Sequence, residues 1–354
     1  MRHLLDITDL SVEEIEDLAR VAEDIAEHPE KYAESCKGKK LITLFFEPST
    51  RTRMSFEAAM WELGGSVISC TDMNTSSVVK GETLADTMRV AANYADVVAM
   101  RHPYEGAAYV ASLQSPVPVI NAGDGGHCHP TQTLADLLTV HRELGRFDDL
   151  TVGLCGDLKY GRTVHSLINA MLRYKGVKFV LISPEELKLP DYELDALKRA
   201  GAPFAEVRDL EEAIPSLDVL YMTRVQRERF DDPAAYERVK DCYVLTEEKL
   251  SAAKEKMIVM HPLPRVNEIS ADVDGDPRAA YFRQTMNGKL MRMALILKLL
   301  KEKNAPSAAE KRAFVSGGKC ANKKCITRLE KLPPLFTAEN GAEKCVYCET
   351  HRKA

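Results

Sequence analysis

At 354 residues the chain has room for two full domains and a small module, and its 45% hydrophobic and 29% charged composition is that of a globular protein, not a disordered one. No apolar run approaches the ~20 residues that span a bilayer, and the opening MRHLLDITDLSVEEIEDL lacks the apolar core of a signal peptide. A net charge of −5 makes no general case for nucleic acid, and five of the nine cysteines (Cys36, Cys70, Cys128, Cys155, Cys242) stand singly, which points to a reducing compartment, the cytoplasm by default, instead of a disulfide framework.

Ser11-Val12-Glu13-Glu14 has the form of a capping box and opens an amphipathic helix. The run Leu41–Phe46 reads as a buried strand that breaks at Glu47-Pro48. Ser49-Thr50-Arg51-Thr52-Arg53 leads from it into a helix expected over Met54–Leu63 and ended by Gly64-Gly65. Apolar runs at Ser66–Cys70, Asp96–Met100 and Val117–Asn121 alternate with helical patterns such as Thr83–Tyr94. A helix opens at Pro130, with Leu134, Leu137, Leu138 and Leu144 on one face and Gly145 as its stop.

The alternation then restarts: strand Thr151–Cys155, helix Arg162–Tyr174, strand Val177–Ser183, a helix around Tyr192–Ala200, and strands Phe204–Val207, Val219–Thr223 and Met257–His261. The charged stretch Gln226–Cys242 reads as a mobile loop carrying helical turns. Asn287–Glu302 is apolar on most faces, so it is expected to be buried and to pack back on the first domain. The pattern is α/β, with two doubly wound parallel-sheet domains. The expected division is 1–130 with 285–304, then 131–284, a Pro/Ser/Ala/Gly linker over 305–318, and a β-rich terminal module over 319–354.

Strand, hydroxyl-rich turn and helix together aim backbone N–H groups at an anion. The helix dipole, the hydroxyls of Ser49, Thr50 and Thr52, and two guanidiniums are expected to converge on one phosphate; a helix cap followed by a solvated basic turn is the plainer alternative. Other candidates fall just past the C-terminal ends of expected strands: Arg101-His102, the stretch Gly123–Gln132, Gly156–Arg162, Arg224, and His261–Arg265. In open α/β sheets that edge is where ligands sit. So many arginines suit substrates bearing a phosphate and carboxylates, whose oxygens a guanidinium grips bidentately.

Pro48-Ser49-Thr50-Arg51-Thr52-Arg53 resembles the carbamoyl-phosphate signature of the carbamoyltransferases. Lys80-Gly81-Glu82-Thr83, His129-Pro130-Thr131-Gln132, Gly156–Arg162, Arg224-Val225-Gln226 and His261-Pro262-Leu263-Pro264-Arg265 extend the match. Their order and spacing are similar to those of the aspartate carbamoyltransferase catalytic chain over roughly residues 1–304. The resemblance implies transfer of a carbamoyl group to aspartate, the committed step of de novo pyrimidine synthesis, by a homotrimer or a multiple of it. It implies that Ser49, Thr50, Arg51 and Thr52 hold the phosphate, that Arg101 reaches phosphate and carbonyl, and that Thr52, Arg101 and His129 polarise the carbamoyl oxygen. Gln132 and the carbonyls of Pro262 and Leu263 then take the carbamoyl amide, and Arg162, Arg224 and Gln226 the two carboxylates. Ser76 and Lys80 would enter the site of a neighbouring subunit, with Lys80 contributing to aspartate binding. Val79 departs from the pattern, standing where some members carry a second lysine.

The residue types fit the chemistry. The aspartate amine attacks the carbamoyl carbon, charge builds on the carbonyl oxygen and phosphate leaves; each donor to that oxygen is worth ~3–4 kcal/mol. His129 at a helix start is expected to be a neutral donor. No general base stands out, and the leaving phosphate can take the amine proton. An ornithine-type enzyme shares the phosphate turn but typically has His-Cys-Leu-Pro where this chain has His261-Pro262-Leu263-Pro264, and two cationic groups beside the acceptor would repel ornithine. A binding protein with a dead site is the other alternative, opposed by the intact cationic set.

Cys320-x4-Cys325 and Cys345-x2-Cys348 form a four-thiolate pattern suited to one structural Zn2+. No organic cofactor is expected. A module this small has too little core to fold without a staple. The pattern resembles the zinc domain of the aspartate carbamoyltransferase regulatory chain, here fused to the catalytic part without room for a nucleotide-binding half, so nucleotide feedback of the usual kind is expected to be absent. Residues 311–354 carry ten Lys/Arg against four Asp/Glu, a local +6 that leaves −11 on the rest of the chain. Lys323, Lys324, Arg328 and Lys331 could instead contact nucleic-acid phosphates, but Phe336 is the one aromatic between the cysteine pairs, so a protein contact is preferred.

Overall fold

The computed structural model describes residues 1–70, 80–225, 232–305, 315–316, 318–339 and 342–353. Two compact units emerge, one of residues 1–131 with 289–354 and one of residues 132–288.

The first unit opens with α1 (Val12–Glu27), whose Ser11–Glu14 capping box forms as its sequence requires. There follow β1 (Lys40–Phe45), α2 (Thr50–Glu62), β2 (Ser66–Cys70), α3 (Leu84–Ala91), β3 (Val97–His102), α4 (Ala107–Gln114) and β4 (Val119–Asp124). The strands form a parallel sheet in the order β2-β1-β3-β4. Helix α2 begins at Thr50, a full turn before the expected Met54, so the Ser/Thr/Arg signature is the first turn of the helix itself. α4, AAYVASLQ, has no polar face from which amphipathic periodicity could announce it, and Ala107 through Ser112 are all buried.

After α5 (Pro130–Leu144), the second unit contains β5 (Thr151–Cys155), α6 (Arg162–Met171), β6 (Lys178–Ile182), α7 (Asp191–Arg199), β7 (Phe204–Val207), α8 (Leu210–Ala213), β8 (Val219–Met222), α9 (Pro233–Val239), α10 (Glu247–Leu250) and β9 (Ile258–Met260). Its five strands run parallel in the order β7-β6-β5-β8-β9. α9 lies inside the stretch expected to be a loop with helical turns, and residues 226–231 of that stretch lie outside the described residues. The long α11 (Tyr281–Lys301) starts six residues before the expected Asn287. Its later part belongs to the first unit, where Lys289 pairs with Glu62 at 2.6 Å and Lys298 with Glu14 at 2.9 Å.

The C-terminal residues form β10 (Val315–Ser316), β11 (Leu335–Glu339), β12 (Ala342–Cys345) and β13 (His351–Lys353), an antiparallel sheet in chain order. Most of the expected linker lies outside the described residues. The module has no separate core. Ile326, Phe336, Val346 and Tyr347 join Leu84, Met88, Ala107, Ala108 and Ala111 in one buried cluster. This explains α4: one side meets the sheet and the module covers the other. Gly106, with φ +85, lies so close to the module that a Cβ there would stand 2.5 Å from the Tyr347 carbonyl. Polar contacts repeat the attachment: Asn322 Nδ2 donates to Glu105 Oε2 at 2.6 Å, the Glu105 N–H to Lys324 O at 2.8 Å, and the Leu84 N–H to Glu330 Oε1 at 2.9 Å.

Candidate active site and metal centre

In the first unit, β1 delivers the chain to Ser49, which precedes α2 without accepting a side-chain capping bond. The first N–H groups of α2 therefore keep their partial positive charge for another acceptor. Arg51 stands in this turn. Partial desolvation and the neighbouring charge of Arg101 both lower its pKa. Arg101, near the end of β3, is held by its Nε–H to Glu47 Oε1 at 2.7 Å and by Nη1–H to Ala122 O at 3.3 Å.

Arg53 is not the second guanidinium of this group. Two residues on a helix lie roughly 200° apart around the axis, and Arg53 accordingly turns away to Ser69 at 3.2 Å and Glu57 at 3.5 Å. The cation whose charge is felt at Arg51 is instead Arg101.

His129 is buried immediately before α5. Its Nδ1 lies 3.4 Å from Thr131 Oγ1, which accepts from Arg292 Nη2 at 3.3 Å. A hydroxyl that accepts from arginine still has its own hydrogen to give, so Thr131 can donate to His129 Nδ1, the arrangement that leaves the ring proton on Nε2. The turn ahead of His129 is organised by buried Asp124, which accepts from the Gly106 N–H at 2.8 Å, from Asn121 Nδ2 at 3.0 Å and from His127 Nδ1 at 3.1 Å. Burial opposes charge on His127, but Cys128 and Asp124 hold its pKa well above the ordinary value. Its Nε2 lies 3.7 Å from Glu349 of the C-terminal module.

Lys80 is exposed, and Ser76, expected to act with it, lies outside the described residues.

In the second unit, Arg162 opens α6 after β5, and Arg224 follows β8, the strand paired with β5. One hydroxyl stitches these strand ends together. Thr223 Oγ1 accepts the Asp157 N–H at 2.9 Å and donates to Cys155 O at 2.9 Å. Gly156, at φ +113, is required here, because a Cβ would meet the Thr223 carbonyl at 2.4 Å. Gln226 lies outside the described residues. Gln132 donates Nε2–H to Asp136 Oδ1 at 2.8 Å. Pro262 and Leu263 stand in the loop after β9, and Leu263 holds the left-handed φ of +50.

Asp136 was missed as part of this region, whereas His261 was a sequence candidate to which no role was assigned. Asp136 reads in sequence as one polar position of a helix, yet it is fully buried. The Gln132/Asp136 spacing of four, which places both on one helical face, was the available signal.

The four cysteines expected to hold a metal come together as the spacing requires. Cys320, Cys325, Cys345 and Cys348 are buried, and their sulfurs lie within 4.8 Å of one another. Cys320 and Cys348 are 3.5 Å apart, Cys325 and Cys345 3.9 Å. Four sulfurs about 2.3 Å from a tetrahedral zinc would be separated by about 3.8 Å, so the donor set fits such an ion.

The family model described as the aspartate/ornithine carbamoyltransferase carbamoyl-P binding domain matches residues 2–142, and that of the Asp/Orn binding domain matches 148–299. The chain belongs to the aspartate/ornithine carbamoyltransferase family. Residues 318–354 match the metal binding domain of the aspartate carbamoyltransferase regulatory chain, so catalytic-chain and regulatory-chain segments are fused. The aspartate carbamoyltransferase catalytic subunit of Lachnoclostridium phytofermentans is 59% identical over 301 residues, covering 85% of this chain and 98% of the relative. The catalytic subunit of M. jannaschii aspartate transcarbamoylase superposes with a TM-score of 0.81 at 48% identity, covering 86% of this chain and 100% of that one. Aspartate transcarbamoylase from Trypanosoma cruzi, solved with carbamoyl phosphate and aspartate, gives a TM-score of 0.80 at 41% identity, covering 84% and 96%.

Proposed function

We propose that the chain transfers the carbamoyl group of carbamoyl phosphate to the amine of L-aspartate, releasing N-carbamoyl-L-aspartate and phosphate. The observation that carries this reading is a helix start left without a side-chain cap by Ser49, with Arg51 in its first turn and the charge of Arg101 close enough to be felt there. Cationic charge held close to like charge is costly until an anion arrives. The aspartate-type relatives favour aspartate over ornithine as acceptor.

In this reading Ser49, Thr50, Arg51 and Thr52 bind the phosphate, and Arg101 spans phosphate and carbonyl. Thr52, Arg101 and the Nε2–H of His129 donate to the carbamoyl oxygen as negative charge builds there. Gln132 Oε1 and the carbonyls of Pro262 and Leu263 accept from the carbamoyl amide. Arg162, Arg224 and Gln226 take the carboxylates of aspartate, whose amine attacks the carbamoyl carbon. The carbon–oxygen bond to phosphate breaks, and the departing phosphate takes the amine proton. Ser76 and Lys80 act in a neighbouring subunit of a trimer, and the product enters pyrimidine synthesis. The four cysteines hold one zinc ion, which supplies folding free energy to the module and no chemistry to the reaction.

The test is steady-state turnover with aspartate and with ornithine. Aspartate should be the better acceptor, and Arg51→Ala should lose at least ~3 kcal/mol of transition-state stabilisation. Faster turnover with ornithine would overturn the assignment.

A further inference from the structure

The second unit contains a hydrogen-bonded run that joins residues assigned above to the carbamoyl amide. Asp136 Oδ1 accepts from Gln132 Nε2 at 2.8 Å and from Gln284 Nε2 at 2.6 Å, while Oδ2 accepts from the Tyr221 hydroxyl at 3.0 Å. Gln284 is itself buried and uses its other end to accept the His261 N–H at 3.0 Å, which fixes which end of its amide is oxygen. His261 Nδ1 accepts the Leu263 N–H at 2.7 Å, so the ring proton lies on Nε2 and is donated to Glu268 Oε1 at 2.8 Å. Glu268 Oε2 closes the loop by accepting the N–H groups of Val266 and Asn267. Leu263, a side-chain-bearing residue at φ +50, needs such holding.

A carboxylate has no donor. Asp136 therefore takes the nitrogen end of Gln132 and leaves its Oε1 as the end presented to a ligand. A carbamoyl group has two N–H bonds to give, so the subsite must consist of acceptors. We infer that Asp136 is a positioning residue. Through Gln132 on one arm it sets the acceptor polarity of the amide subsite, and through Gln284 and His261 on the other it holds the backbone of Leu263 in place, and so it selects an amino group over a methyl group of similar size. This rests on the reading of Gln132, Pro262 and Leu263 given above.

Acetyl phosphate carries a methyl where carbamoyl phosphate carries the amine, and inorganic phosphate carries neither. The experiment measures KM for carbamoyl phosphate and competitive inhibition constants for the other two in the full-length enzyme, alongside a thermal melt. Asp136→Ala should reduce the preference for carbamoyl over acetyl phosphate about tenfold, with inhibition by phosphate unchanged. Gln284→Met, which cuts the Leu263 arm alone, should reduce it by less. Asp136→Asn, whose Oδ1 can still accept from both amides, should restore most of it. An unchanged preference in folded Asp136→Ala, or weakening of all three ligands in step, would overturn the role; if that variant does not fold, Gln284→Met is judged by the same two outcomes. A Gln132→Ala enzyme that keeps the wild-type preference would instead refute the subsite reading, and the inference with it.

Discussion

Arg51 and Arg53 look equivalent in sequence, and the helix that begins at Thr50 separates them: one shares its field with Arg101, the other pairs with Glu57 and Ser69. The residue types of the phosphate turn were legible, but which cations face together depends on where the helix starts, and a Ser/Thr/Arg run does not announce that. The same holds for His102, which sequence offered as a candidate beside Arg101. It is buried, its Nδ1 accepts the Tyr104 N–H at 3.0 Å and its ring packs on Phe46 with centroids 4.7 Å apart. Burial pushes its pKa down to about 4 against the opposing pull of Asp124. A histidine that stays neutral when folded protonates first in the unfolded chain, so its stabilisation is complete above about pH 6.5 and is lost as pH falls toward 4. The full span corresponds to about 3 kcal/mol. Thermal melts between pH 7.5 and 4.5 should therefore show a steeper loss in wild type than in His102→Gln. Parallel curves would show that His102 does not govern this range.

Strands were the most legible elements. β7 spans the residues expected, and β5 does too, because their short apolar runs are bounded by clear breaks. α4 escaped because both of its faces are covered, and the second cover is the C-terminal module, whose contact surface no local pattern encodes. A helix apolar all round is a sign of burial on two sides, which is the clue the sequence did contain. The module's basic residues likewise acquire protein partners: Arg328 Nη2 donates to Cys320 O at 2.5 Å, and Lys344 pairs with Glu349 at 3.2 Å. Since module and α4 share one core, metal removal should be felt beyond the cysteines. Chelation, or Cys345→Ser, should accelerate amide hydrogen exchange across Ala107–Gln114 as well as across residues 320–350. Exchange confined to the module, with α4 still protected, would contradict a shared core.

At the scale of the whole molecule, the sequence motifs divide between the two units, with the phosphate turn, Arg101 and His129 in one and Arg162, Arg224 and the His261 loop in the other. The order of strands and helices made that organisation readable, whereas the attachment of residues 318–354 to the first unit became visible only in three dimensions. If sites are completed by a neighbouring subunit, mixing inactive Lys80→Ala with inactive Arg51→Ala chains should restore part of the activity, because some sites in the hybrids have both residues intact. Hybrids of verified mixed composition that remain inactive would exclude sharing through Lys80. The module's docking on Glu105, Gly106 and Tyr109 has a further consequence. Module and docking face belong to one chain and are joined by the connection from Lys301 to Val315, so the face experiences its partner at an effective concentration on the order of millimolar. Dilution cannot strip the module away, its ratio to catalytic chains cannot drift with expression, and a free protein seeking that face would have to outcompete a tethered occupant.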